Sequence, residues 1–147
     1  MTTPFSDDYY MKQALEEARV AAAEDEVPVG AVIVCGDRII ARAHNQTERL
    51  NDPTAHAEMI AITSATNTLG AKYLTECRLY VTVEPCVMCA GAIGWSQLLT
   101  IIYGTSDEKR GFTKYAPNAL HPKTEVRRSI METECADLMK SFFKHKR

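Results

Sequence analysis

No apolar run in this chain approaches the length of a membrane span. The longest, Val27 to Cys35, is nine residues and contains Pro28 and Gly30, where a helical span needs about 20. Internal repeats, low-complexity tracts and linker-like stretches are also missing, so residues 1–147 read as one continuous domain. A basic secretory leader is lacking too. The chain opens Met-Thr-Thr-Pro-Phe-Ser-Asp-Asp, acidic where a signal would be basic, and the expectation is a cytoplasmic protein with no membrane association. Its five cysteines are an odd number. With no export signal they argue against a disulfide framework and divide into metal ligands and small buried hydrophobes.

What is present is the composition of a folded globular protein. The apolar fraction is 46% and the charged fraction 24%, which excludes wholesale disorder. At this length roughly 68–70% of the unfolded chain's surface can be buried. The net charge of −2 hides an uneven distribution. Residues 1–107 carry seven Lys and Arg against fourteen Asp and Glu, whereas residues 108–147 carry ten against five. Such a chain can present a basic end to a polyanion; the same pattern also suits a solvated helix face with spare lysines.

Periodicity lays out the elements. Ser6 or Asp7 caps a helix running to about Ala23, with Tyr10, Met11, Ala14, Leu15, Ala18 and Ala22 as its apolar stripe. Val29–Cys35 and Arg38–Ala43 are β-rich runs, and Gly36-Asp37 between them predicts a hairpin. A helix follows over roughly Ala55–Thr66, ended near Gly70, then a strand over Arg78–Val83. Pro85 starts a third helix containing Cys86 to Trp95, and Leu99–Tyr103 is a short strand closed by Gly104. Thr124–Ile130 reads as one more strand. Thr133–Lys144 reads as an amphipathic helix with Leu138, Phe142 and Cys135 or Met139 inward. This order predicts an α/β fold, a mixed sheet of about five strands with helices on both faces, in which helix-connected strands pair in parallel.

Two segments carry the chemistry: His56-Ala57-Glu58 and Glu84-Pro85-Cys86-Val87-Met88-Cys89, each at a predicted helix start. Cys86 and Cys89, three residues apart, share one helical face and can reach one metal. One imidazole and two thiolates are three ligands of the type zinc prefers, and a fourth position left to water marks a catalytic rather than a structural site. Glu58, two residues from His56, can share that site without binding the metal, as a proton shuttle requires. Duller readings leave residues unexplained. A redox dithiol gives His56 and Glu58 no role. A structural zinc site needs Cys35, Cys77 or Cys135 as fourth ligand, and these sit in or beside strands or on a distant helix. An RNA-binding module with structural zinc gives Glu58 nothing to do.

These segments resemble the zinc-dependent nucleobase deaminases, with their H-x-E … P-C-x-x-C signature. Glu26-Val27-Pro28-Val29-Gly30-Ala31-Val32, Asn45, Asp52-Pro53-Thr54-Ala55-His56-Ala57-Glu58 and Leu79 through Ala92 look like the bacterial tRNA-specific adenosine deaminases of the cytidine deaminase-like superfamily. The likeness extends through Phe142-Phe143, although the stretch from Asp107 to His121 is shorter than in the best-known members. It implies a three-layer α/β/α fold, one Zn²⁺ per subunit on His56, Cys86 and Cys89, and a homodimer binding a tRNA anticodon loop. The implied reaction is hydrolytic deamination of the wobble adenosine (position 34) of a tRNA, an arginine tRNA, to inosine, with Glu58 as the proton-transferring catalytic residue. By position, Asn45 hydrogen-bonds the flipped nucleotide, Ala57 and the Val27-Pro28 turn shape the base pocket, and Asp107, Phe142, Phe143 and Lys144 meet the RNA. The zinc residues alone also suit a deaminase of the same fold acting on guanine, cytosine or a free nucleoside.

Overall fold

The structure, a computed structural model, describes residues 5–146. Met1–Pro4 and Arg147, which the sequence reading used for the leader and the basic tail, lie outside the described residues.

Helix α1 (Asp7–Ala23) starts where Ser6 Oγ accepts the Tyr9 N–H at 3.2 Å, with Asp7 and Asp8 in its first turn. Strands β1 (Gly30–Cys35) and β2 (Arg38–His44) form the expected hairpin, turned by Gly36 at φ +64°. Helix α2 (Ala57–Leu69) ends at Gly70, also left-handed. It is followed by β3 (Cys77–Val83), α3 (Val87–Ser96) and β4 (Thr100–Thr105). The chain closes with a four-residue helix α4 (Phe112–Tyr115), a three-residue strand β5 (Glu125–Arg127) and helix α5 (Glu132–His145).

The five strands lie in the order β2-β1-β3-β4-β5. As expected, β3 pairs with β4 in parallel across α3. The same expectation fails for β2 and β3, which α2 connects: β1 lies between them and pairs antiparallel with both. The alternation along β1 explains both layers. Ala31 and Ile33 face α2 and α3 with Leu79, Val81 and Ile101, while Val32 and Val34 face α1 and α5 with Tyr80 and Ile102. Helix α1 lies close enough that a Cβ on Gly30 would sit 2.0 Å from the Ala14 carbonyl oxygen, so only glycine admits the α1–β1 packing.

The C-terminal region departs furthest from the periodicity. The strand expected over 124–130 is only three residues long, because Ser129 and Met131 take positive φ (65° and 55°) and turn the chain into α5. Helix α4 has no sequence counterpart; burial of Phe112, 2% exposed, anchors it. On α5, Cys135 is buried, Leu138, Met139 and Phe142 are half-buried, and Phe143 is 46% exposed. Among the described residues no helix is long and apolar enough to cross a membrane.

Candidate metal centre and active-site cleft

His56 and Cys86 are the N-cap residues of α2 and α3, both in extended conformation. Cys86 therefore stands just ahead of its helix rather than within it, and Cys89 lies in the first turn. The two helices begin side by side at the C-terminal end of β3. The His56 imidazole presents Nδ1 to both sulfurs, 3.6 Å from Cys86 Sγ and 3.5 Å from Cys89 Sγ. Zinc bonds of about 2.0–2.1 Å to nitrogen and 2.3 Å to sulfur at the tetrahedral angle require an N–S separation of about 3.6 Å. The three donor atoms thus fit zinc as they stand. Among the described residues these are the side chains grouped to hold a metal. Cys35 and Cys77 pair with each other at the far ends of β1 and β3, and Cys135 is buried in the opposite layer, so none supplies a fourth ligand.

Without a cation the two thiols divide a proton between them. Cys86 is held down to about 4, first by the hydrogen bond from the Cys89 thiol and then by His56, against the opposing effect of its own burial. Cys89 is pushed up by that same bond and by burial. His56 is raised by its contact with Cys86. A dication supplies the charge needed to ionise both thiols together.

Glu58 is 4% exposed. Burial pushes its carboxyl up to about 7; its backbone hydrogen bond opposes this, and the Cys86 thiolate adds to it. The structure thus places beside the three donors a carboxyl that burial biases towards its protonated form, a group able to exchange a proton with the site. Asn45, at the end of β2, turns Oδ1 onto the Ala57 N–H at 2.8 Å. His56 makes no side-chain cap to α2, so Asn45 supplies that acceptor from another element. Pro28 sits in a tight turn closed by Val29 N–H to the Val27 carbonyl, 2.8 Å.

The centre opens into a cleft of about 630 Å³ lined by Pro53, His56, Cys86, Val87, Met88, Lys109, Arg110 and Tyr115. Sequence reading singled out neither Lys109 and Arg110 nor Tyr115, which is 59% exposed. Their only sequence signal is the excess of basic charge after residue 107. Asp107 does not itself line the cleft; its Oδ1 accepts the Lys109 and Arg110 N–H groups at 3.0 Å each, shaping the loop that carries them. Phe142, Phe143 and Lys144 lie on α5 outside the cleft. However, Lys146 is ion-paired to Asp25, which ties the end of α5 to the residue before the Glu26-Val27-Pro28 segment.

Residues 5–105 match the cytidine and deoxycytidylate deaminase zinc-binding region. The tRNA-specific adenosine deaminase of Aquifex aeolicus is 45% identical over 141 residues, covering 93% of each chain. A solved structure from studies of A-to-I editing by tRNA:A34 deaminases superposes with a TM-score of 0.83 at 42% identity, covering 88% of this chain and 98% of that one. The guanine deaminase of Bacillus subtilis gives a TM-score of 0.67 at 41% identity, covering 69% of this chain and 65% of that one.

Proposed function

Because this chain belongs to the cytidine and deoxycytidylate deaminase zinc-binding family, we propose that its cleft takes the wobble adenosine of a tRNA and converts it to inosine. The observation that carries the reading is the joint placement of a zinc-fitting His56–Cys86–Cys89 triplet and the buried acid Glu58 under a cleft walled by Lys109 and Arg110. The near full-length likeness to tRNA-acting deaminases supports it.

His56, Cys86 and Cys89 hold the metal, and zinc bound there supplies the Lewis acidity that brings the ionisation of water near neutral pH. Glu58 takes a proton from the attacking water and passes it to the purine N1 as oxygen adds at C6; it then takes the remaining proton from the C6 hydroxyl and gives it to the departing N6 amine as the C6 carbonyl forms. The C6–N6 bond breaks, leaving inosine and ammonia. Asn45 fits the role of orienting group. Oδ1 is committed to Ala57, leaving its NH₂ to donate to the flipped nucleotide, while Ala57 and the Val27-Pro28 turn bound the base. Lys109, Arg110 and Tyr115 suit the flanking phosphates and a stacked base. Phe143 and Lys144, on α5 outside the cleft, are assigned a second RNA contact by the resemblance alone.

Helix α3 supports a homodimer. Ala90 and Ile93 face inward, whereas Met88, Gly91 and Trp95 point out, and Trp95 is 84% exposed. An apolar stripe of that kind next to a site calls for a covering surface, and a second copy of the chain provides one. We infer a cytoplasmic enzyme, in keeping with a tRNA substrate.

The likeness to guanine deaminase favours one rival, a free-base substrate. The deciding experiment incubates zinc-loaded protein with an arginine tRNA anticodon stem-loop, adenosine and guanine in parallel. Inosine in the stem-loop alone supports the proposal; turnover of guanine with none of the RNA overturns it.

A further inference from the structure

A buried carboxylate that the chemistry does not use stands one residue before the Pro85-Cys86 pair. Glu84 is 4% exposed and reaches away from the metal donors into the 107–113 loop. Its Oε1 accepts the Asp107 N–H at 3.1 Å. Oε2 accepts the Thr113 N–H at 3.0 Å and the Thr113 hydroxyl at 2.7 Å. A buried charge is tolerated only when its lone pairs are met in this way. The loop wraps the carboxylate closely: a Cβ on Gly111 would fall 2.3 Å from Oε2. Backbone contacts tie the same loop to the metal-ligand segment, with Phe112 N–H on the Pro85 carbonyl at 3.0 Å and Gly111 bridged to Cys86. Between the two anchor points, Asp107 and Thr113, lie Lys109 and Arg110 on the cleft wall.

We propose that Glu84 is a positioning residue for RNA binding. It fixes the basic loop against the zinc-ligand segment, so that the Lys109 and Arg110 charges stand at a set place relative to Cys86 before RNA arrives. The inference rests on the proposed tRNA deaminase activity for its substrate and on this structure alone for its clamp. The Phe112–Pro85 and Gly111–Cys86 contacts tie one side of the loop, and the Glu84 carboxylate adds an acceptor that joins its two ends, Asp107 and Thr113. An exposed pair of lysine and arginine side chains on an unanchored loop would have to be ordered at each binding event, which weakens affinity without altering the chemical step.

The test is Glu84→Gln, which keeps size and one acceptor oxygen but turns an NH₂ towards either the Asp107 or the Thr113 donors. Thr113→Val, which removes only the hydroxyl donor, is the milder companion. Hydrogen bonds to charged groups are strong enough that losing one changes a local equilibrium about tenfold or more. The expected result in zinc-loaded full-length Glu84→Gln is faster amide exchange confined to residues 107–113, with one zinc per chain retained. The KM for the anticodon stem-loop rises about tenfold or more while saturating kcat changes less than about threefold, and Thr113→Val falls between. Unchanged loop exchange overturns the clamp. Faster exchange with unchanged KM overturns the role in RNA binding. Loss of zinc shows Glu84 acting through Cys86 instead, which also overturns the proposal. The exchange measurement needs no RNA, so a wild-type protein inactive on the stem-loop refutes the substrate assignment separately.

Discussion

Replacing Glu58 by Gln should make the metal-free chain more stable and the enzyme inactive, and the burial of the carboxyl sets the size of the first effect. The carboxyl moves from its ordinary 4.5 to about 7, chiefly because it is buried. One pH unit of displacement corresponds to 1.36 kcal/mol, so holding Glu58 ionised in place costs about 3 kcal/mol. The sign follows from which state ionises first. Below pH 4.5 the group is protonated whether the chain is folded or not, and no penalty exists. Between 4.5 and 7 the unfolded chain gives up the proton first, so stability falls as pH rises; above 7 the penalty is complete. Glutamine fills the same space without this cost.

The assay is urea unfolding of chelator-treated wild-type and Glu58→Gln protein at pH 4 and pH 8. The two should differ little at pH 4. At pH 8 the variant should be more stable by about 3 kcal/mol, or roughly 6–12 °C in Tm for a chain of this size. Zinc-loaded Glu58→Gln should lose about 10²–10⁴-fold in kcat, the usual contribution of a general acid–base group. A variant no more stable at pH 8 than at pH 4, relative to wild type, would falsify the claim that burial sets the acid's strength. Near wild-type turnover would remove Glu58 from the mechanism.

Zinc should bind at one ion per chain, and X-ray absorption should show one nitrogen and two sulfur protein ligands; Cys86→Ser should lower both zinc occupancy and thermal stability, since binding and folding are coupled. Trp95→Glu should shift sedimentation at micromolar concentration from dimer to monomer, and a wild-type monomer that deaminates RNA would show the exposed α3 face to have another purpose. Deleting residues 144–147 should weaken RNA binding and flatten its salt dependence. Phe143→Ala, which removes a ring already 46% exposed, should raise the KM for a stem-loop more than it lowers Tm; unchanged affinity in both variants would assign α5 to packing.

The metal centre was legible because its information is local. His56 and Cys86 cap two helices and Cys89 lies in the first turn of the second, so two short segments at helix starts carry all three donors. The β-rich run of β1 and the apolar stripe of α1 were legible for a similar reason: each signal lies within its own element. The placement of β1 between β2 and β3 was not, because the pattern of a strand buried on both faces does not name its neighbours. Charge was legible only as a sum. The excess after residue 107 said nothing of where each cation goes. In the fold Arg127 pairs with Asp7 and Glu125 and Lys146 with Asp25, while Lys109 and Arg110 turn to the cleft. The basic half therefore divides, some of its cations held in ion pairs and two of them lining the cleft.

Asn45, Glu26 and Glu84 show where sequence reasoning stops. Asn45 accepts from Ala57, 12 residues on. Glu26, 1% exposed, accepts from Glu48 N–H and Arg49 N–H at 3.1 and 2.8 Å and from the Thr47 hydroxyl at 3.3 Å. Glu84 likewise accepts from Asp107 and Thr113, 23 and 29 residues away. Counting the Thr113 hydroxyl, five of these seven donors are backbone amides, which every residue but proline carries, so no side-chain pattern announces them. Yet the arrangement is regular: Glu26 holds the segment that leads to His56, and Glu84 holds the loop that faces it across the cleft. Each lies next to a proline turn of the site, Val27-Pro28 or Pro85-Cys86. The donors grouped to hold a metal are thus set by short motifs, while the segment leading to His56 and the loop carrying Lys109 and Arg110 each hang on a buried carboxylate, Glu26 and Glu84.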